Sequence, residues 1–242
     1  MAASQEAAGS LLESRSGSTP RAAADRVRLT EIFLSLQGES TTVGLPTVFV
    51  RLTGCPLRCG YCDTAYAFHG GEVRALDDVL AAVAAYGVHQ VTVTGGEPLA
   101  QPGVLPLMTA LCDAGHAVAI ETSGALDVST IDARVRKVVD LKTPGSGEMH
   151  RNLYENVAHC GAGDEIKFVL CDRQDYDWAR MKCDELGLFE HPAEILFSPV
   201  ASSPDAAGLA PRELADWIVA DRLPVRMQLQ LHKILWGDEP GR

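Results

Sequence analysis

The chain has 242 residues, is 46% hydrophobic and 22% charged, carries a net charge of −11 and holds seven cysteines. That balance predicts a soluble globular protein with a sizeable core, and so acidic a chain lacks the basic face that nucleic acid or an anionic membrane requires. No apolar run approaches the ~20 residues that span a bilayer, the first residues lack the charged start and apolar middle expected of a signal peptide, and an odd cysteine count without that signal predicts reduced thiols in the cytoplasm.

Residues 1–27 are rich in Ala, Ser, Gly and Arg, show no periodicity, and are expected to form a disordered tail. Order is expected to begin near Leu29, and 28–242 reads as one domain. Strands are predicted at 47–53, 90–96, 117–122, 137–142, 164–170, 194–200 and 225–230, from short runs rich in β-branched residues. Helices are predicted at 77–86, 102–115, 151–159, 173–187 and 211–221. The first opens on Asp, and the second has Pro in its first turn and Gly at its end. Such alternation predicts an α/β fold with a mostly parallel sheet.

The chemically unusual residues follow successive predicted strands. "GCPLRCGYC" (54–62) comes after the first, "GGEP" after the second, "ETSG" after the third and "DLKTP" after the fourth. "SPV" ends a later strand and "QLHK" closes the last. In parallel α/β sheets the site lies at the carboxyl ends of the strands, so these pieces are expected to converge on one face.

Cys55, Cys59 and Cys62 form a C-x3-C-x2-C pattern. Thiolates are soft ligands suited to iron–sulfur clusters or zinc. Three from one loop can hold three irons of a 4Fe-4S cluster and leave the fourth open. A structural zinc site usually adds a fourth protein ligand nearby, and His69 offers only an unfamiliar spacing. The spacing favours the cluster and leaves zinc open. Cys112, Cys160, Cys171 and Cys183 are widely spaced and read as small buried hydrophobes.

With Tyr61 before its last cysteine, and with "GGEP" after the next strand, this pattern resembles the radical S-adenosylmethionine (SAM) superfamily. Within it, "EIFLSLQGES" (31–40), "FVRLTGC" (49–55), "CDTAYAF" (62–68), "VTGGEP", "ETSG", "DLKTP" and "QLHK" resemble the 7-carboxy-7-deazaguanine synthase family. The resemblance implies a modified, incomplete TIM-like barrel, usually a homodimer, that converts 6-carboxy-5,6,7,8-tetrahydropterin to 7-carboxy-7-deazaguanine with loss of ammonia. It places the product in queuosine and related deazapurine biosynthesis. The implied cofactors are a 4Fe-4S cluster, SAM and Mg²⁺, with an electron donor such as a flavodoxin or ferredoxin. A glycyl-radical-enzyme activase shares the cysteine and "GGEP" patterns, and a zinc-binding structural module is the alternative from another class.

The resemblance also implies roles. Tyr61, Asp63, Gly95, Gly96, Glu97, Ser123 and Lys142 are assigned to SAM. Leu36, Gln37, Gly38, Glu39, Arg51, Thr94, Gln230 and His232 are assigned to substrate. Thr64, a hard oxygen donor, is assigned to Mg²⁺. Without it, 37–39 is a plain turn, Thr64 a cap for the next turn, and His232 equally a structural histidine. Arg51 is a carboxylate clamp or an internal ion pair.

Overall fold

The structure, a computed structural model, describes residues 24–201 and 208–237 together with Glu239 and Gly241. Most of the expected tail, 1–23, lies outside the described residues. Among the described residues one sheet of nine strands runs in the order β3-β1-β2-β4-β5-β6-β7-β8-β9. Strands β2 (Pro46–Leu52), β4 (Gln90–Gly95), β5 (Ala117–Thr122), β6 (Arg136–Asp140), β7 (Glu165–Leu170), β8 (Glu194–Pro199) and β9 (Arg226–Met227) pair in parallel throughout. β1 (Arg26–Leu36) joins β2 and β3 (Glu72–Ala75) antiparallel. The sheet ends on β3 and β9 without closing, so the barrel is incomplete.

Successive residues of a strand point to opposite faces, and that alternation divides the sheet. Val48, Val50 and Leu52 of β2, Val91 and Val93 of β4, Ile166, Phe168 and Leu170 of β7 are buried in the apolar core. They pack with helices α1 (Leu76–Ala84), α2 (Val104–Asp113), α3 (Arg173–Glu185) and α4 (Pro211–Asp221). The intervening residues, among them Phe49, Arg51, Thr94, Glu121, Asp140 and Lys167, line a cavity on the opposite, concave face.

Local signals account for the helix ends. Asp172 caps α3, accepting the Asp175 amide at 2.9 Å. Asp77 and Asp78 occupy the first turn of α1, where carboxylates complement the helix dipole.

Four expectations need correction. β1 begins at Arg26, so order starts before Leu29, and Val27 is buried in the core. A register shift between Leu29 and Glu31 breaks its alternation and hid the strand. Residues 151–159 form only 3-10 turns, at Met149–Arg151 and Tyr154–His159. The last strand is two residues, Arg226–Met227, and "QLHK" opens a short helix, α5 (Leu231–Trp236), instead of closing a strand.

β1 carries β3 on its outer edge, pairing Arg26 with Ala75, Val27 with Arg74 and Arg28 with Val73. Compared with a chain starting at Ala24, one starting at Leu29 is expected to melt at lower temperature. Loss of the buried Val27 side chain alone costs about 2 kcal/mol. Thermal unfolding followed by circular dichroism checks this.

Candidate active site

The loop after β2 is fixed from several sides. The Gly54 amide donates to Ala67 O at 2.8 Å, and Leu57 is buried beneath the loop. The Arg58 guanidinium donates to the carbonyls of Cys55 and Leu57, both at 2.7 Å, and stacks on Phe68. The Arg58 amide donates to Glu148 and the Gly60 amide to Ser146 O, which ties the loop to the chain after β6. Cys55, Cys59 and Cys62 are half-buried and line the same cavity, of about 950 Å³. Burial pushes all three thiols up, with Lys142 opposing it.

This donor set suits a polynuclear cluster. Three soft thiols share one wall, and each iron of a cluster takes its own thiolate, so they need not meet at one point. Among the described residues no three His, Cys, Asp or Glu side chains are gathered to hold a single ion.

The next strand end lies against this loop. Gly96 N donates to Leu52 O at 3.1 Å and Glu97 N to Gly54 O at 2.8 Å. A Cβ on Gly95 would strike the Leu52 backbone, and one on Gly96 the Gly54 carbonyl. Only glycine permits so close an approach. Glu97 does not line the cavity. Its fully buried carboxylate turns inward and accepts from Leu99 N, the Thr122 hydroxyl, and both the amide and hydroxyl of Ser123. Ser123 and Lys142 do line the cavity, and Lys142 Nζ is 2.9 Å from Asp140 Oδ2. Its ammonium stands 5.9 Å from the centre of the Tyr61 ring.

The opposite wall joins the start of the chain to its end. Leu231 N donates to Gly38 O at 2.9 Å, and the His232 imidazole fills the space a Cβ on Gly38 would need. Gly38 is therefore a close-packing residue and does not line the cavity, whereas Leu36, Gln37, Glu39, Gln230 and His232 do. Glu39 is held by Lys167 Nζ at 2.9 Å and Gln230 Nε2 at 2.9 Å. Arg51 forms an ion pair through Nε with Glu31 at 2.8 Å, and still lines the cavity. Both readings of Arg51 thus hold in part. The Thr64 hydroxyl donates to Asp63 Oδ1 at 2.8 Å, and Lys233 and Gln230 approach the other oxygen at 3.4 Å. Against the upward pull of burial, Lys233, Thr64 and Gln230 hold the Asp63 carboxyl below its usual range.

Phe33, Phe49, Glu121, Asp140 and Lys167 also line the cavity, and the sequence reading gave none of them an individual role. Alternation within strands already predicted would have found all but Phe33, because each of the other four sits out of phase with the buried apolar residues. Cys171, expected to be a buried hydrophobe, is half-buried and lines the cavity. Burial and Asp175 push its thiol up to about 12.

Comparison with known proteins bears on this geometry. Residues 49–143 match the model of the radical SAM superfamily. A 7-carboxy-7-deazaguanine synthase of Chlorobaculum tepidum is 42% identical over 216 residues, covering 88% of this chain and 96% of that protein. One from Koribacter versatilis is 43% identical over 225 residues, covering 88% and 98%. The chain belongs to the 7-carboxy-7-deazaguanine synthase family of radical SAM enzymes. The crystal structure of QueE from Escherichia coli superposes with a TM-score of 0.71 at 25% identity, covering 89% of this chain and all of that one. Membership in the radical SAM family implies a 4Fe-4S cluster and SAM. Neither the activase nor the zinc module is favoured. Among the described residues no helix is long and apolar enough to cross a membrane.

Two carboxyls in this family member's cavity are driven apart. Burial raises the Glu121 carboxyl, Lys167 opposes this, and the Glu39 charge adds to the rise. At Glu39 burial also pulls upward, but Lys167 and Gln230 outweigh it and hold that carboxyl below its usual value. The native state therefore binds the Glu121 proton more tightly than the unfolded chain does. Its contribution to stability falls as pH rises from ~4.3 through the raised native value. Glu39 acts oppositely and loses its contribution as pH falls below ~4.3 towards its native value. Glu121→Gln is expected to raise the melting temperature at neutral pH and to leave it nearly unchanged near pH ~4. Melting curves across that range check this, and a gain that does not grow with pH would contradict it.

Proposed function

We propose that this chain converts 6-carboxy-5,6,7,8-tetrahydropterin to 7-carboxy-7-deazaguanine, with Cys55, Cys59 and Cys62 holding the cluster. The observation that carries this is the convergence, in one cavity, of the three thiols with Gln37, Glu39, Arg51, Gln230 and His232. When bound, the cluster and SAM supply one-electron cleavage and hydrogen-atom abstraction. The chain's own residues bind, orient and shield.

The backbone of Gly95 and Gly96, with Tyr61, Asp63, Ser123 and Lys142, forms the SAM side. Glu97 contributes by holding that backbone in place. On the substrate side, the outer guanidinium edge of Arg51 suits the pterin carboxylate, since Nε is already taken by Glu31. Carboxylates and amides from Gln37, Glu39 and Gln230 match the donors and acceptors of a pterin ring. Leu36, Thr94 and His232 complete that wall. Thr64 offers Mg²⁺ one neutral oxygen beside Asp63, too little to displace several waters from so tightly hydrated an ion. The substrate's carboxylate and ring oxygens would supply the rest. A flavodoxin or ferredoxin is the inferred reductant, the protein the inferred homodimer, and the radical SAM domain is taken to begin at β1.

Anaerobic incubation with reductant, SAM, Mg²⁺ and the pterin, followed by mass analysis, tests the reading. Failure to form the deazaguanine from loaded enzyme would refute it. Cys55→Ala, Cys59→Ala and Cys62→Ala are each expected to deplete iron and abolish turnover. Cys112→Ala and Cys183→Ala are expected to keep the cluster absorbance.

Mg²⁺ and substrate are expected to bind together, each raising the other's affinity, as linkage requires. Thr64→Ala should keep the cluster and SAM cleavage but lose magnesium-stimulated turnover. Titrating the pterin with and without Mg²⁺ measures the coupling, and an affinity indifferent to Mg²⁺ would remove the site.

A further inference from the structure

Lys167 lies midway along β7, between Ile166 and Phe168 of the apolar core, with its own side chain on the concave face. Only 11% of that side chain is exposed. A buried ammonium is costly unless paired, and this one is paired in two directions. Nζ is 2.9 Å from Glu39 Oε2 on the substrate side and 3.8 Å from Asp140 Oδ2 on the cluster side. The same Asp140 oxygen takes Lys142 Nζ at 2.9 Å.

The backbone cannot follow either partner. Asp140 and Lys167 are register neighbours in the sheet, and Lys167 O accepts from Leu141 N at 2.9 Å. Two residues earlier on the same face, Glu165 accepts the Thr41 amide at 3.0 Å and anchors the loop that carries Glu39.

The cluster side holds unmet hydrogen-bonding capacity. Asp140 Oδ1 and the Tyr61 hydroxyl are both buried and have no partner. A ligand that donates to Asp140 Oδ1 spreads the carboxylate charge and weakens its hold on Lys167. The ammonium then commits to Glu39 and fixes that carboxylate for the substrate. Occupation of the substrate side draws Lys167 the same way and leaves Asp140 freer to accept.

We propose that Lys167 is a positioning residue that couples the two halves of the cavity, so that SAM and the pterin raise each other's affinity through one shared ammonium. This rests on the functional reading above. It also predicts that SAM cleavage stays coupled to product formation only while Lys167 is cationic.

The test compares holoenzymes of wild type, Lys167→Met and Lys167→Arg. SAM binding is titrated with and without the pterin, and product per SAM cleaved is counted. In wild type the pterin is expected to tighten SAM binding by about fivefold or more. In Lys167→Met the effect should shrink below about twofold, with SAM cleaved in excess of product and the cluster absorbance retained. Lys167→Arg should restore most of both. If Lys167→Met does not fold, the charge-neutral pair Glu39→Gln with Lys167→Met replaces it, with the same loss of coupling expected. Coupling in either uncharged variant equal to wild type, or no coupling in an active wild type, overturns the role of Lys167 alone. A wild-type holoenzyme that neither binds nor converts the pterin overturns the functional reading and this inference with it.

Discussion

The carboxylate of Glu97 has no access to solvent and is satisfied entirely by its own chain. Charge-assisted hydrogen bonds of this kind contribute about 1.5–3 kcal/mol each, and removing the acceptor would strand several buried donors. The bonds join the end of β4 to the end of β5. With that junction fixed, Gly95 and Gly96 can lie against Leu52 and Gly54, and Gly54 in turn begins the cysteine loop. Three strand ends and one loop therefore depend on a single acid that does not line the cavity.

Electrostatics divide the cavity in a comparable way. The chain as a whole is strongly acidic, yet its interior acids are matched locally by Lys142, Lys167 and Arg51. Where a cation sits within hydrogen-bonding reach, as at Glu39, the carboxyl is held below its usual value. Where burial dominates, as at Glu121, the carboxyl is pushed above its usual value. Adjacent carboxyls are thereby given opposite preferences for a proton, the arrangement that separates acceptor from donor within one site.

Much of this was legible in the sequence, and the parts that were not share a physical cause. The parallel strands announced themselves through β-branched runs, and the site residues through their positions after those runs. β1 was missed because its register shift spoils the two-residue period. The short α5 was missed because Gln228 and Gln230 continue an alternation that the backbone abandons after Met227. Glu97 was placed in the right motif, but no local pattern reveals which way a side chain turns at a strand end. Lys167 sat in plain view as a charge between Ile166 and Phe168; its meaning depended on Glu39 and Asp140, which only the folded chain brings to it.

The contact between Gly38 and α5 has a consequence for how the protein is made. Ser40 N and Gln228 Oε1, 2.8 Å apart in the folded chain, are separated by 188 residues in sequence. A chain emerging from the ribosome can form the glycine turn and the Glu97 junction once Ser123 is out, and can tie down the cysteine loop once Ser146 and Glu148 follow. It cannot close the wall around Glu39 until Gln228 and Gln230 are available, and contacts this distant in sequence form late. During synthesis the thiols are thus framed while the cavity is still open on its substrate side.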